Sequence, residues 1–221
     1  MKVLTIDVGG SHVKALASGR RVPVKLDSGP HFTPGEMTRV IRAATAGWRY
    51  DAVTIGYPGP VIDGRAVREP FNLGGGWRRY NYDRAFGCPV RLVNDAAMQA
   101  LGSYQGRRML FLGLGTGLGS TLVNEDVVVP LELAHLPYRE GRTYEEYVGQ
   151  AALDRLGKDK WRKHVARVVE LLSAAVVADY TVLGGGNVRL IPKLPPRTRR
   201  GSNANAFLGG FRVWERDLSW A

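Results

Sequence analysis

The chain alternates short apolar runs with segments of helical periodicity, and turn-forming residues separate them. Apolar runs of four to six residues bounded by glycine and proline are typical of buried strands, whereas spacings of three and four residues indicate amphipathic helices. The predicted strands are Val3–Val8, Val13–Ala17, Val22–Lys25, Ala52–Gly56, Val90–Val93, Met109–Leu114, Ser120–Val123 and Tyr180–Leu183. The predicted helices are those that begin after Thr33 and end before Gly47, and the segments Ala96–Tyr104, Tyr144–Leu156 and Trp161–Val177. This alternation predicts an α/β protein.

One arrangement, a strand followed by a glycine turn and a second strand, occurs twice. It is found at Leu4–Lys14 and again at Phe111–Ser120, and helices and strands follow each copy. Such a repeat indicates two similar α/β halves. We therefore expect one domain at 1–93 and a second at 94–221, meeting near Val93 and Asn94.

Composition narrows the class of protein. Of 221 residues, 44% are hydrophobic and 23% charged, which is ordinary for a globular protein. Apolar runs stay far below the roughly 20 residues of a membrane span, and the early acidic Asp7 argues against a secretory signal. Cys88 is the only cysteine, which excludes an internal disulfide and a cysteine-clustered zinc site. We expect a cytoplasmic protein.

The charge balance favours anionic partners without naming one. Lysine and arginine number 31 against 20 acidic residues, a formal net charge of +11. Nucleic acid, an anionic membrane and phosphorylated small molecules all fit such a field, and so does a merely solubilising surface.

The first glycine turn is a candidate phosphate site. Gly9, Gly10 and Ser11 allow close approach of a ligand, and their N–H groups and the hydroxyl can donate to phosphate oxygens. Asp7 ends the preceding strand, where a carboxylate can hold hydrated Mg²⁺, and Lys14 adds positive charge. A purely structural hairpin is the alternative.

A second turn, Gly115-Thr116-Gly117-Leu118-Gly119, offers the same chemistry. Its spacing is not that of the dinucleotide fingerprint, and the chain has no Walker A sequence. A third glycine run, Gly184-Gly185-Gly186, follows a strand and can let an adenine ring or a phosphate chain lie against the backbone. A plain strand-to-helix turn is the alternative there.

Polar residues at the ends of elements supply candidate catalytic groups. Asn94 and Asp95 follow a strand and open a helix, where a carboxylate can accept a proton from an attacking hydroxyl. Capping of the helix is the other interpretation of Asp95. Glu132 and His135 can reach one polar ligand. Glu145 lies just beyond them, and a solvated helix face is the alternative interpretation of that residue.

The order of these motifs resembles the ROK family of sugar kinases, and within it the bacterial polyphosphate glucokinases. The similarity runs from Asp7-Val8-Gly9-Gly10-Ser11 through Tyr57-Pro58-Gly59-Pro60-Val61 and Asn94-Asp95-Ala96 to the later glycine turns, covering nearly the whole chain. The stretch from Asn72 to Trp77 and the run His135-Leu136-Pro137-Tyr138 are similar to the polyphosphate branch. The zinc-binding cysteines of many ROK proteins are missing, so no zinc is expected, and Ala134 replaces a glycine usual in the family.

The resemblance implies the actin-like, sugar kinase and Hsp70 fold, with two ribonuclease H-like domains around a central cleft. It implies Asp95 as general base, Asp7 as the Mg²⁺ carboxylate, and Asn94, Glu132, His135 and Glu145 as sugar ligands. Both glycine turns, with Lys14, become phosphate sites, and Gly184 to Gly186 lie on the nucleotide side. Asp7 and Asp95 are then expected on opposite walls of the cleft.

The function implied is phosphoryl transfer from ATP or polyphosphate to a hexose hydroxyl, with O6 of glucose expected. The arginine-rich segment 189–200 and Arg107-Arg108 are candidates for holding polyphosphate. A non-catalytic sugar-binding protein is the alternative. A ROK repressor is disfavoured because the first motif begins at Asp7, and nucleic-acid binding because no nucleic-acid module is visible. The sequence does not determine the oligomeric state, and a homodimer is compatible with it.

Overall fold

The computed structural model describes residues 1–215 and 217–220. The chain forms two compact units, one of Met1–Met98 with Ala206–Asp217 and one of Gln99–Asn205 with Leu218–Ala221. The sequence placed the division between residues 93 and 94, with an uninterrupted second half. The first unit instead extends to Met98 and includes a segment near the C-terminus, because a late helix packs on its sheet.

The first unit is built on a five-stranded sheet of order β3-β2-β1-β4-β7. Its strands and helices are β1 (Val3–Val8), β2 (His12–Ala17), β3 (Val24–Asp27), α1 (Pro34–Ala44), β4 (Ala52–Tyr57), β5 (Val61–Ile62), β6 (Arg65–Ala66), α2 (Tyr82–Phe86), β7 (Val90–Asn94), α3 (Asp95–Ser103), which continues past the unit boundary, and the late helix α7 (Asn205–Arg212). The first three strands form an antiparallel meander, and β1, β4 and β7 are parallel.

One face of this sheet carries the apolar core. Leu4, Ile6 and Val8 alternate along β1 with polar residues and pack with Met37 and Ile41 of α1. Thr33 caps α1 by accepting the N–H of Glu36 at 3.2 Å, so the helix begins after Thr33 as predicted. The helix ends at Ala44, before Gly47 as predicted, and Thr45 is its C-cap.

The other face of the sheet is covered by α7. Thr5 and Thr54 are aligned partners on β1 and β4, and their hydroxyls donate to the carbonyls of Phe207 (3.5 Å) and Gly210 (2.7 Å). A Cβ at Gly210 would run into the Thr5 side chain. The helix therefore packs directly on the strands, and this contact joins the late segment to the first unit.

The second unit contains a six-stranded sheet of order β14-β13-β8-β9-β10-β15. Its strands and helices are β8 (Met109–Leu114), β9 (Leu118–Asn124), β10 (Val127–Leu131), β11 (Pro137–Arg139), β12 (Arg142–Thr143), α4 (Glu145–Val148), α5 (Gln150–Leu156), α6 (Lys158–Ala175), β13 (Tyr180–Gly184), β14 (Thr198–Arg200) and β15 (Ser219–Trp220). The apolar face of α6, from Trp161 to Leu172, packs on Leu110, Leu112 and Leu183.

The duplication indicated by the sequence is confirmed by the strand orders. In each unit an antiparallel meander is followed by two parallel strands on the far side of its first strand, giving β3-β2-β1-β4-β7 and β10-β9-β8-β13-β14.

Some elements differ from the prediction, and the strand β10 was not predicted. The helix predicted at Tyr144–Leu156 is interrupted at Gly149, whose backbone is extended. Among the described residues, no helix is both long and apolar enough to cross a membrane.

Candidate active site

The first glycine turn joins β1 to β2. The Gly9 N–H donates to the carbonyl of His12 at 3.0 Å. Ser28 then ties the turn to the end of β3, since its hydroxyl donates to the Gly9 carbonyl at 2.6 Å and its N–H to the Ser11 carbonyl at 3.0 Å. These bonds use carbonyl oxygens to fix the shape of the turn, and the hydroxyl-bearing Ser11 is exposed.

Gly10 lies against Asn72, in the stretch that resembles the polyphosphate branch. A Cβ at residue 10 would be 3.1 Å from the Cβ of Asn72, which is tighter than most side-chain contacts. The loop that carries Asn72 is anchored on one side by Glu69, whose carboxylate accepts the N–H of Trp77 at 2.9 Å. Glycine at position 10 therefore allows the loop to approach the first turn.

Asp7 forms an ion pair with Lys14 within the same ladder. The two residues are direct partners on β1 and β2, and Lys14 Nζ lies 3.7 Å from Asp7 Oδ2. Burial raises the pKa of Asp7 above its ordinary value, and Lys14 offsets only part of that rise. The fold thus holds a carboxylate with a depleted hydration shell beside the first glycine turn.

Asn94, and not Asp95, caps α3. The Asn94 Oδ1 accepts the N–H of Ala97 at 3.0 Å, and its Nδ2 donates to the Gly59 carbonyl at 3.0 Å. Asp95 is the first helical residue, and its Oδ1 accepts the N–H of Ala96 at 2.8 Å. Capping, the alternative interpretation of Asp95, is therefore performed by its neighbour.

Asp7 and Asp95 lie in the same unit, at the same edge of one sheet. Asp7 is level with Gly56 on β4, and Gly56 is level with Val93 on β7. Two strand spacings separate β1 from β7, about 10 Å, and Asp95 follows Val93 by two residues. The expectation that these carboxylates line opposite walls is wrong, because parallel strands of one sheet deliver both to their carboxyl ends.

The second glycine turn, in the other unit, is held by a carboxylate. Glu145 Oε2 accepts the N–H of Leu118 at 3.1 Å, and a Cβ at Gly117 would run into the same carboxylate. The Gly115 N–H donates to the Gly117 carbonyl at 3.2 Å. Two N–H groups of this turn thus have partners within the protein, and Glu145 does not point from a solvated helix face.

The third glycine run packs on the second turn. Gly185 has φ +83°, which favours glycine, and a Cβ there would run into the Leu114 carbonyl. Asn187 follows and donates from Nδ2 to Gln150 Oε1 at 2.9 Å and to the Gly115 carbonyl at 3.4 Å. The structure therefore brings Gly184 to Gly186 next to Gly115 to Gly119.

Sequence reasoning missed Gln150 and Asn187. Besides receiving the Asn187 bond, Gln150 donates its N–H to the Thr116 carbonyl at 3.1 Å. Each is the first polar side chain after a glycine, Gly149 or Gly186, and that is the only local signal in the sequence.

Glu132 immediately precedes a short 3₁₀ turn, Leu133–His135, and His135 is its last residue. Their side chains are exposed, and His135 Nε2 lies 3.8 Å from Glu132 Oε2. Ser120, buried on β9, holds this turn by donating to the Leu131 carbonyl at 2.7 Å and accepting the Leu133 N–H at 3.2 Å. Both side chains are therefore offered to solvent from a fixed backbone.

An aromatic cluster supports the hairpin between His135 and Glu145, where sequence analysis proposed no structure. Tyr138 stacks on Tyr144 with ring centroids 5.0 Å apart, and its hydroxyl lies 3.2 Å from His164 Nδ1 on α6. Burial, together with Arg139, lowers the pKa of His164.

Within the described residues, no group of three or more His, Cys, Asp or Glu side chains is placed to hold a metal ion.

The arginine-rich segment is partly structural. Arg199 donates to Gln105 Oε1 at 2.5 Å and lies over the Tyr180 ring at 4.5 Å. Arg200 donates to the carbonyls of Val188 and Ile191. These two guanidinium groups hold the edge strand β14 in place. Two of the arginines that were candidates for holding polyphosphate therefore have structural contacts within the protein.

The duplicated sheet and its glycine turns have the arrangement of the actin-like, sugar kinase and Hsp70 fold. Inorganic polyphosphate/ATP-glucomannokinase from Arthrobacter sp. strain KM superposes with a TM-score of 0.80 at 20% identity, covering 96% of this chain and 97% of that one. The ROK hexokinase from Thermus thermophilus gives a TM-score of 0.74 at 23% identity, covering 98% and 100%. These likenesses confirm the predicted fold.

Comparison with proteins of known function shows sequence similarity to polyphosphate glucokinases. Polyphosphate glucokinase of Mycobacterium tuberculosis is 28% identical over 214 residues, which cover 86% of this chain and 80% of that protein. No protein-family model matches the chain. The resemblance to ROK sugar kinases, close to the polyphosphate glucokinases, is thus confirmed.

Proposed function

We propose that the protein is a sugar kinase that transfers a phosphoryl group from inorganic polyphosphate or ATP to a hexose hydroxyl, with O6 of glucose as the expected acceptor. The likeness to polyphosphate glucokinase and to a polyphosphate/ATP-glucomannokinase supports both the reaction and the choice of donors. The observation that carries the proposal is the position of Asp95, at the carboxyl end of β7 and first in α3, with capping left to Asn94.

Asp95 is the proposed general base. As the sugar oxygen forms its bond to phosphorus, the hydroxyl proton passes to the Asp95 carboxylate, and the bond from phosphorus to the donor's bridging oxygen breaks. The Ala96 N–H orients the carboxylate, and the N-terminus of α3 places a positive dipole end beside it. Orientation of this kind is the main contribution that a protein makes to phosphoryl transfer.

Asp7 fits a Mg²⁺ ion that arrives with the donor phosphates. Mg²⁺ commonly binds through one or two carboxylates, keeps several waters and shares the substrate phosphates, where it neutralises their charge. A single buried carboxylate beside a glycine turn suits that mode and does not make a closed cage. Lys14 would balance Asp7 before the ion binds and interact with phosphate afterwards.

The sugar and the donor are assigned to separate groups of residues. Glu132, His135 and Glu145 would accept and donate hydrogen bonds to sugar hydroxyls, with Asn94 placed beside the base. The glycines of both turns would contact phosphate. The third glycine run, tied to the second turn through Asn187, supports binding of a nucleotide, whereas the net charge of +11 supports polyphosphate.

A coupled assay tests the proposal. Glucose, mannose, fructose and N-acetylated amino sugars are each offered with ATP and with polyphosphate, and sugar phosphate is measured. We expect turnover of glucose with at least one donor. Glucose binding without phosphorylation by either donor would instead establish the non-catalytic sugar-binding protein.

A further inference from the structure

A basic pocket lies between α1 and α2, on the surface of the first unit. It is a depression open to solvent, of about 640 Å³, and is lined by Gly35, Thr38, Arg39, Arg42, Tyr80, Asn81, Arg84 and Ala85. We refer to these residues as the α1–α2 pocket.

The pocket is formed by a regular helix face. Residues 35, 38, 39 and 42 recur at three- and four-residue intervals and so share one side of α1. Arg42 Nη1 donates to the Ala85 carbonyl at 3.0 Å, which joins α1 to α2 and fixes one guanidinium at the wall. Asn81 caps α2 by accepting the Arg84 N–H at 2.9 Å. The backbone under the pocket is thus held by specific bonds.

The lining is strongly cationic. It includes three arginines and, among the described residues that form it, no carboxylate. The nearest opposing charge in contact with a lining residue is Glu36, whose Oε1 lies 3.9 Å from Arg39 Nη2 in an exposed pair. Such pairs contribute little in water. Asp83 is on α2 but is not among the lining residues, and its Oδ1 accepts the N–H of Val90 at 2.8 Å. The lining itself therefore carries a net positive charge.

The α1–α2 pocket is distinct from the phosphate site at the first glycine turn. Met37 and Ile41 of α1 pack on the sheet face that carries Leu4 and Ile6. Side chains alternate between faces along a strand, so Asp7 points to the opposite face. The sheet itself separates the pocket from the proposed reacting groups.

We propose that the α1–α2 pocket binds the phosphoryl groups of an anionic ligand at a second site, outside the reaction centre. Planar guanidinium groups bind phosphate oxygens through paired N–H donors, and several arginines around one space match a ligand with more than one negative oxygen. Two sources share this chemistry. One is a polyphosphate chain, and the other is a phosphorylated sugar. The proposal does not depend on the proposed function.

Equilibrium dialysis tests the proposal with three probes, namely tripolyphosphate, glucose 6-phosphate and inorganic phosphate. The test variant is Arg39→Gln with Arg84→Gln, which removes two lining charges and keeps the Arg42 bridge. The matched control is Arg21→Gln with Arg49→Gln, which removes two charges from exposed positions of the same unit. Circular dichroism and Tm establish that both variants are folded.

We expect at least one probe to lose a binding site, or at least tenfold in affinity, in the test variant and not in the control. The probe affected identifies the source. If the proposed kinase function fails, wild-type protein still shows this one site, and the test variant still loses it. Equal binding by wild type and both variants, or an equal loss in both variants, overturns the proposal.

Discussion

The ammonium of Lys14 lies 3.7 Å from the carboxylate of Asp7, across the ladder that joins β1 to β2. Only 14% of the Asp7 side chain is exposed, and burial raises its pKa in spite of the lysine. Burial therefore makes ionisation of this carboxyl group costly, and a pKa perturbed in this way is typical of functional sites.

Asp7→Asn should stabilise the protein and abolish most activity. A folded-state pKa above the ordinary 3.8 means that the ionised carboxylate lowers stability as pH rises through the folded-state pKa, with no such cost below the unfolded-state pKa. The gain in Tm of Asp7→Asn over wild type should thus be larger at pH 7 than at pH 3.5. Asp27→Asn, at an exposed carboxylate, is the control. A lower Tm at pH 7 for Asp7→Asn contradicts this account.

Gly210→Ala should destabilise the first unit. Alanine is normally better than glycine in a helix by about 1 kcal/mol. Here its methyl group would overlap Thr5, and overpacking typically costs about 1–3 kcal/mol. Denaturant unfolding measures the loss. Gly75→Ala, where a Cβ has no neighbour within 4 Å and φ is ordinary, should change stability little. An unchanged midpoint for Gly210→Ala would show that α7 does not pack on Thr5 as described.

Glu145→Gln should weaken sugar binding while preserving the second turn. The amide oxygen can still accept the Leu118 N–H, but it loses the charge-assisted bond expected to a sugar hydroxyl. We expect KM for the sugar to rise by roughly 10- to 150-fold, since one lost bond to a charged group is worth roughly 1.5–3 kcal/mol. Glu146→Gln changes an exposed neighbour that bonds to the Thr143 N–H and should leave KM unchanged. Equal KM values for wild type and Glu145→Gln would remove Glu145 from the sugar site.

Local chemistry predicted much of the fold. Thr33 and Glu36 define the start of α1 through one hydrogen bond, and the repeated glycine turns indicated the duplicated sheet. Strands such as Met109–Leu114 were predicted with their exact limits because a continuous apolar run records burial on both faces. These features depend on residues that are close in sequence.

Contacts between distant residues were not predictable in the same way. Nothing near Gly210 indicates that its partners are Thr5 and Thr54. Arg199 and Arg200 belong to the basic segment that the sequence indicated only as a candidate for holding polyphosphate. Their bonds to Gln105 and to carbonyl groups are visible only in the folded chain. Likewise, the sequence around Gln150 and Asn187 does not indicate that their side chains connect the glycine turns. Composition and periodicity indicate whether a residue is buried, but they do not identify the distant residue that it contacts.

The role of Asp95 is the central claim, and single-turnover kinetics of Asp95→Asn tests it most directly. Asparagine can still accept the Ala96 N–H through its amide oxygen, so the fold and glucose affinity should persist while the proton acceptor is lost. We predict a rate of sugar-phosphate formation at least ~10²-fold below wild type with an unchanged Kd for glucose. Phosphorylation at a near wild-type rate by a folded Asp95→Asn protein would contradict the account.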